Sequence, residues 1–422
     1  MSAMNKSGFL HAQTLLQALH SRHAESFEIN EALGLAYASR SDLADAVHSL
    51  ADAARVCPDS GVAHANLGTA YLKMHLAQDA ATELERATAL EPGNPQTEEA
   101  LGQAQMLLQQ WQKAALVFSA ALVRDGTNPD LLYNYALALF NCQQYANAEP
   151  LLARMPGIES SAAAQSLFGD VEERLGNYKE AAQHYVNAAQ LDPSELNVYV
   201  LGVELLRHWT FGPAIQEFST GAQSFPASRR MRLGLAVAYY GNENYDDAIR
   251  ILAGLLSAAP QDSLYAELLG RACAVLTEGL NPQCASLVQF AELHPQNAVV
   301  ATYAATSILH KPSSPQNLDA AQRLLNLALA AEPKLAEAHF EMGVLLQERS
   351  KWNESIPPLE AAVQLDPEYA AAHYRLSRAY SHEGRHEEAQ KQIQLYQLWN
   401  KKKQNDLDAK MKDITTLVMK MQ

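Results

Sequence analysis

Two places along the 422 residues set chemically capable side chains close together. In "SHEGRHEE", His382 and His386 stand four apart, a spacing at which two imidazoles on one helical face can hold a metal ion. The surrounding pattern puts a turn between them, which separates the rings onto different elements, so no metal ligation is expected. The other place is Cys273 and Cys284, which have no histidine pair nearby in sequence to serve as base or co-ligand. With Cys57 and Cys142 they read as small buried apolar residues, not as a disulfide frame. The phosphate-cradling GxxxxGKS/T, the serine elbow GxSxG and a strand followed by GxGxxG are missing, and HEGRH at 382–386 has the letters of the zinc helix HExxH but, with a turn expected inside it, not the helix. The residues point to no enzyme, no cofactor and no metal.

Composition is that of a globular chain: 48% hydrophobic, 7% aromatic and 19% charged, with little change along the length before the last twenty residues. A net charge of −15 excludes a nucleic-acid wrapper, because displacing counterions from phosphates takes a basic stripe. No apolar run reaches the length of about 18 residues that a spanning helix takes. No export signal is visible near the start, so a cytoplasmic protein is expected, with the bacterial periplasm as the alternative if a signal has been removed.

Whatever this chain does must be positioned by its repeats. Units of 33 or 34 residues, with one longer, begin at 27, 61, 95, 129, 162, 195, 229, 263, 297, 336 and 370. Place 8 is always small, as in Gly34, Gly68, Gly102, Ala136, Gly169 and Gly202; so is place 20, as in Ala46, Ala80, Ala114, Ala181 and Ala248, with Pro282 the exception. Small residues at fixed places in both halves of a unit imply two antiparallel helices that cross closely. Tyr71, Leu84, Phe118, Tyr185 and Phe218 fill the space around the crossings, and Trp111, Tyr145, Tyr178, Phe211, Tyr245 and Trp352 are expected to pack the turn before the second helix. Prolines such as Pro58, Pro92, Pro193 and Pro367 close the units, since proline has no amide donor and disfavours helix in the residue before it.

The order Leu-Gly, Tyr, Ala, aromatic or Leu, Ala, Pro resembles the tetratricopeptide repeat, over residues 27 to 403. The resemblance implies an all-α, right-handed superhelical solenoid of antiparallel helix pairs, with about eleven repeats, a degenerate one near 263–296 and an insertion near 311–317. Residues 1–26 and 404–422 are expected to cap the ends, which otherwise leave apolar faces in water. His64, His339 and His373 share the fourth place, so register explains them.

By resemblance and helical periodicity, places 2, 5, 9, 12 and 13 line a concave groove. In the central units this selects Tyr133, Leu137, Phe140, Tyr199, Val203, Leu206, Leu233, Val237 and Tyr240, with Arg174, Arg207 and Arg230 among them. These are the candidate site for a protein or peptide partner, the alternative being that part of the set packs inside the superhelix. The family's grip on a chaperone's terminal carboxylate is not expected. Asn66 and Asn134 suit it, but Glu31 and Leu35 replace the first Lys and Asn, and Gln96 and Ala100 the last Lys and Arg; Glu99, Gln103, Ala163 and Leu167 fail likewise. The second functional reading is self-association through 404–422, where Leu407, Met411, Ile414, Val418 and Met421 make a narrow apolar stripe among lysines.

Overall fold

The computed structural model describes residues 14–276, 281–310, 314–405, 415–416 and 418–419. Among them there is no strand; two compact units, 1–193 and 194–422, are built from helix pairs. In the first unit a helix over 14–20 (α1) precedes five pairs: α2 (Phe27–Ser39) and α3 (Leu43–Val56); α4 (Gly61–Lys73) and α5 (Ala77–Leu90); α6 (Pro95–Leu107) and α7 (Trp111–Leu122); α8 (Pro129–Asn141) and α9 (Tyr145–Ala153); α10 (Ala162–Leu175) and α11 (Tyr178–Leu191). The second unit holds six: α12 (Glu195–Arg207) and α13 (Phe211–Ser224); α14 (Arg229–Gly241) and α15 (Tyr245–Ala258); α16 (Ser263–Val275) and α17 (Ser286–Leu293); α18 (Ala298–Leu309) and α19 (Pro315–Ala331); α20 (Ala336–Glu348) and α21 (Trp352–Leu365); α22 (Ala370–His382) and α23 (His386–Asn405).

Ten of the eleven first helices start at the residue the repeat marks; the other starts one later, at Ala298, because Asn297 caps it. Ser60, Asn94, Asn128, Ser161, Ser228 and Asp262 do the same for their helices, each side chain accepting an amide hydrogen that the first turn leaves unpaired. The aromatics expected in the turn are instead the first residues of the second helices, from Trp111 to Trp352. The small places work as the crossing argument requires. Ala46, Ala80, Ala114, Ala148, Ala181, Ala214, Ala248 and Ala321 have no exposed surface. A methyl group at Gly102 would lie 2.4 Å from the ring of Phe118, and one at Gly202 2.6 Å from that of Phe218. Place 8 is thus the seat for the large side chain at place 24.

The repeat from 263 departs from this. Its place 24 is Ser286, and Tyr303 of the following repeat occupies the space beside Gly270 instead. Its second helix is short, and a 3-10 turn (Pro282–Ala285) stands at places 20 to 23, where the other repeats are already helical. Here the sequence reading of the cysteines is corrected: Cys273 and Cys284 form a disulfide, with Cα atoms 6.0 Å apart. Antiparallel packing across the turn carries residues eleven apart to bridging distance, which linear spacing does not reveal. Cys57 and Cys142 are free thiols. Of the insertion at 311–317, residues 311–313 lie outside the described residues; Ser314 caps α19, which begins at Pro315.

The three histidines of the fourth place share one contact. Nε2 of His64, His339 and His373 donates to the carbonyl of Pro58, Pro333 and Pro367, at 3.0, 2.9 and 3.0 Å. Each ring satisfies the carbonyl of the proline that closed the previous repeat. Register accounts for all three.

Candidate peptide-binding groove

In the first unit two adjoining recesses, of about 300 and 350 Å³, lie along α4 and α6, with Ala87 and Glu91 from the α5 side closing the first. Thr69 and Gln96 line both. The first adds Val62, Ala65, Asn66 and Glu91, the second Lys73, Glu99, Ala100 and Gln103. Asn66 donates to Glu31 at 2.9 Å, so the place a peptide carboxylate takes in the chaperone mode already holds a carboxylate. Gln103 donates to Glu99 at 3.2 Å. Burial, then the charges of Asp130 and Asp125, raises the pKa of Glu99 above the usual carboxylate range. The first recess is mainly polar and holds Glu91; the second is more apolar and sets Lys73 against Glu99.

The sequence-selected residues fall into different settings. Tyr133, Leu137 and Phe140, on α8 in the first unit, are half-buried, and Phe140 packs on Tyr145 with ring centres 5.4 Å apart. Arg174 is exposed. In the second unit Tyr199, Val203, Leu206, Leu233 and Val237 are buried in one cluster. Tyr240, Arg207 and Arg230 are half-buried. Arg230 lies over the ring of Tyr199 at 5.1 Å and is held by Glu195 at 2.7 Å.

Val62, Thr69, Gln96 and Glu99 stand at the same groove places in repeats outside the central ones, so a selection drawn from the central units does not include them.

At the other end of the second unit a recess of about 530 Å³ lies between α22 and α23, lined by Tyr374, Arg378, His382, His386 and Ile393 among others. The two histidines do come from different helices, and His382 stacks on Trp352 with ring centres 3.7 Å apart.

Family models described as tetratricopeptide repeat match residues 1–61, 66–129, 211–272 and 346–411, more than half of the chain. The chain is a tetratricopeptide-repeat protein. Among solved structures, this tetratricopeptide array resembles PilF of Pseudomonas aeruginosa at 20% identity and a TM-score of 0.42, over 50% of this chain and 97% of the other. It resembles MamA of Desulfovibrio magneticus RS-1 at 20% identity and 0.38, over 40% and 97%. The Cut9–Hcn1 hetero-tetramer of the APC/C matches at 13% identity and 0.38, over 99% and 92%. Such scores transfer neither an activity nor a partner. No curated protein sequence matches the chain. Within the described residues no helix is long and apolar enough to cross a membrane.

Proposed function

We propose that this tetratricopeptide-repeat protein is a non-catalytic scaffold that takes a protein or peptide segment on the groove faces of its first helices. The observation that carries the reading is the pair of adjoining recesses on α4 and α6, which share Thr69 and Gln96. The polar first recess, with amides and hydroxyls, suits an extended segment whose backbone groups need partners, and Glu91 favours one with a basic side chain. Tyr133, Leu137 and Phe140 extend the same register with apolar surface for a hydrophobic anchor. In the second unit Tyr240, Arg207 and Arg230 keep accessible surface at groove places, while Tyr199, Val203, Leu206, Leu233 and Val237 serve as the floor beneath.

The test fills the recess. Proteins retained from native extract by the intact chain are compared with those retained by a Thr69→Arg, Gln96→Arg double variant and by a control changed only at exposed Leu116. A partner lost from the double variant alone, at an unchanged melting temperature, supports the reading. Equal retention by all three chains removes this recess as the site.

A further inference from the structure

Groove places are open in the first unit and mixed in the second, where Leu196, Val275 and Tyr374 stay exposed but those of α18 are shut. Leu35 and Val62 are 46% and 45% exposed, and Thr69 and Leu137 are half-buried. Their counterparts Val203, Val237, Ala301 and Ala305 are buried, and on α18 nine of twelve residues are buried, on every side of the helix. A first helix in such an array has stacked neighbours on its flanks and its own partner behind it; no helix of the array remains to cover the groove side. One described side chain from beyond the array is buried in the second unit. Val418 is 2% exposed and belongs to the hydrophobic cluster that runs from Val198 to Leu345 and includes Ala301, Ala305 and Ile308 of α18. It does not belong to the cluster of the last repeat, around Leu359 and Leu376, where a terminal cap would sit. Met419, the next residue, is 68% exposed.

We propose that the segment carrying Val418 is an intramolecular ligand of the second unit's groove, laid on the groove face of α18. It rests on the reading of that face as a binding surface, and it adds regulation: the face is self-occupied in the free chain. The partner it admits is an amphipathic helix that displaces the segment with an equivalent apolar seam. Charge agrees with the placement. Residues 401–422 hold six Lys and three Asp on a chain of net charge −15, and α20, beside α18, carries Glu337 at a groove place.

A fluorescent synthetic peptide of residues 404–422 tests this on the full chain by anisotropy, without any outside partner. The wild-type chain should bind it weakly and a Val418→Asp chain at least tenfold more tightly, while a peptide carrying the same Asp binds neither. Should Val418→Asp prevent folding, Val418→Ala keeps the same order with a gain of about threefold. Equal binding by wild type and variant, or binding by neither, overturns self-occupancy. A wild-type dimer that Val418→Asp dissociates, seen by light scattering, also overturns it by assigning the segment to a second copy. Failure of the recess variant in extract leaves these outcomes unaffected, so the two readings fail separately.

Discussion

Place 15, just past the first helix, shows what a single residue carries in this array. In each of the nine repeats where it lies among the described residues it has positive φ, and in seven of these it is not glycine: Ser41, His75, Gln109, Gln143, Trp209, Glu243 and Ser350, with φ between 55° and 66°. Only Gly176 and Gly384 adopt this conformation without a Cβ to clash. Replacing Gln109 or Gln143 by Gly is expected to stabilise the protein by roughly 0.5–1 kcal/mol, read as a higher urea midpoint at an unchanged slope. Glu341, half-buried on α20, offers a second test. Burial pushes its pKa from 4.5 up to about 7, against a hydrogen bond with Thr306 and the charge of Arg375. A raised carboxyl costs nothing below pH 4.5, where both folded and unfolded chains hold the proton. As pH rises towards 7 the unfolded chain ionises first, and the folded state loses stability throughout that window. Glu341→Gln should therefore match wild type near pH 4.5 and exceed it by roughly 2–3 kcal/mol at pH 8. A gap that is the same at both pH values sinks the argument.

At the scale of the element, the repeat from 263 is held differently from the others. Without a large residue at place 24, its two helices are joined by the disulfide between α16 and the 3-10 turn. Closing a loop of this length stabilises by about 3 kcal/mol. Dithiothreitol should lower the melting temperature of wild type and leave a Cys273→Ser, Cys284→Ser variant unmoved; an equal effect on both means that the bond carries no stability. The elements themselves were legible because small residues at places 8 and 20 can serve only a close crossing, and closing prolines can serve only an end. The disulfide was not, since bridging depends on which residues the turn brings together. Nor was the left-handed place: Ser, His, Gln, Trp and Glu share no chemistry there, and backbone geometry alone imposes it.

Across the whole chain, membership of the repeat family was readable from eleven copies in register, while accessibility of the groove was not. Periodicity assigns a residue to a face but cannot say what else covers that face. Tyr199 and Tyr133 occupy the same place in their repeats, yet one is buried and the other half-buried. Among the described residues unit 1 buries none of its groove places, while unit 2 buries several on α12, α14 and α18 and leaves those of α16 and α22 accessible, which directs a search for partners first to α4 and α6. The disulfide has one more consequence, in mechanics. A chain of helix pairs pulled from its ends lengthens pair by pair, each repeat of 34 residues releasing on the order of 100 Å at about 3.5 Å per residue. The bridge withholds the residues between Cys273 and Cys284 from that extension, so the repeat from 263 yields a step shorter by roughly 30 Å at the same spacing. Reduction restores the missing length, and the oxidation state of one bond becomes readable as distance.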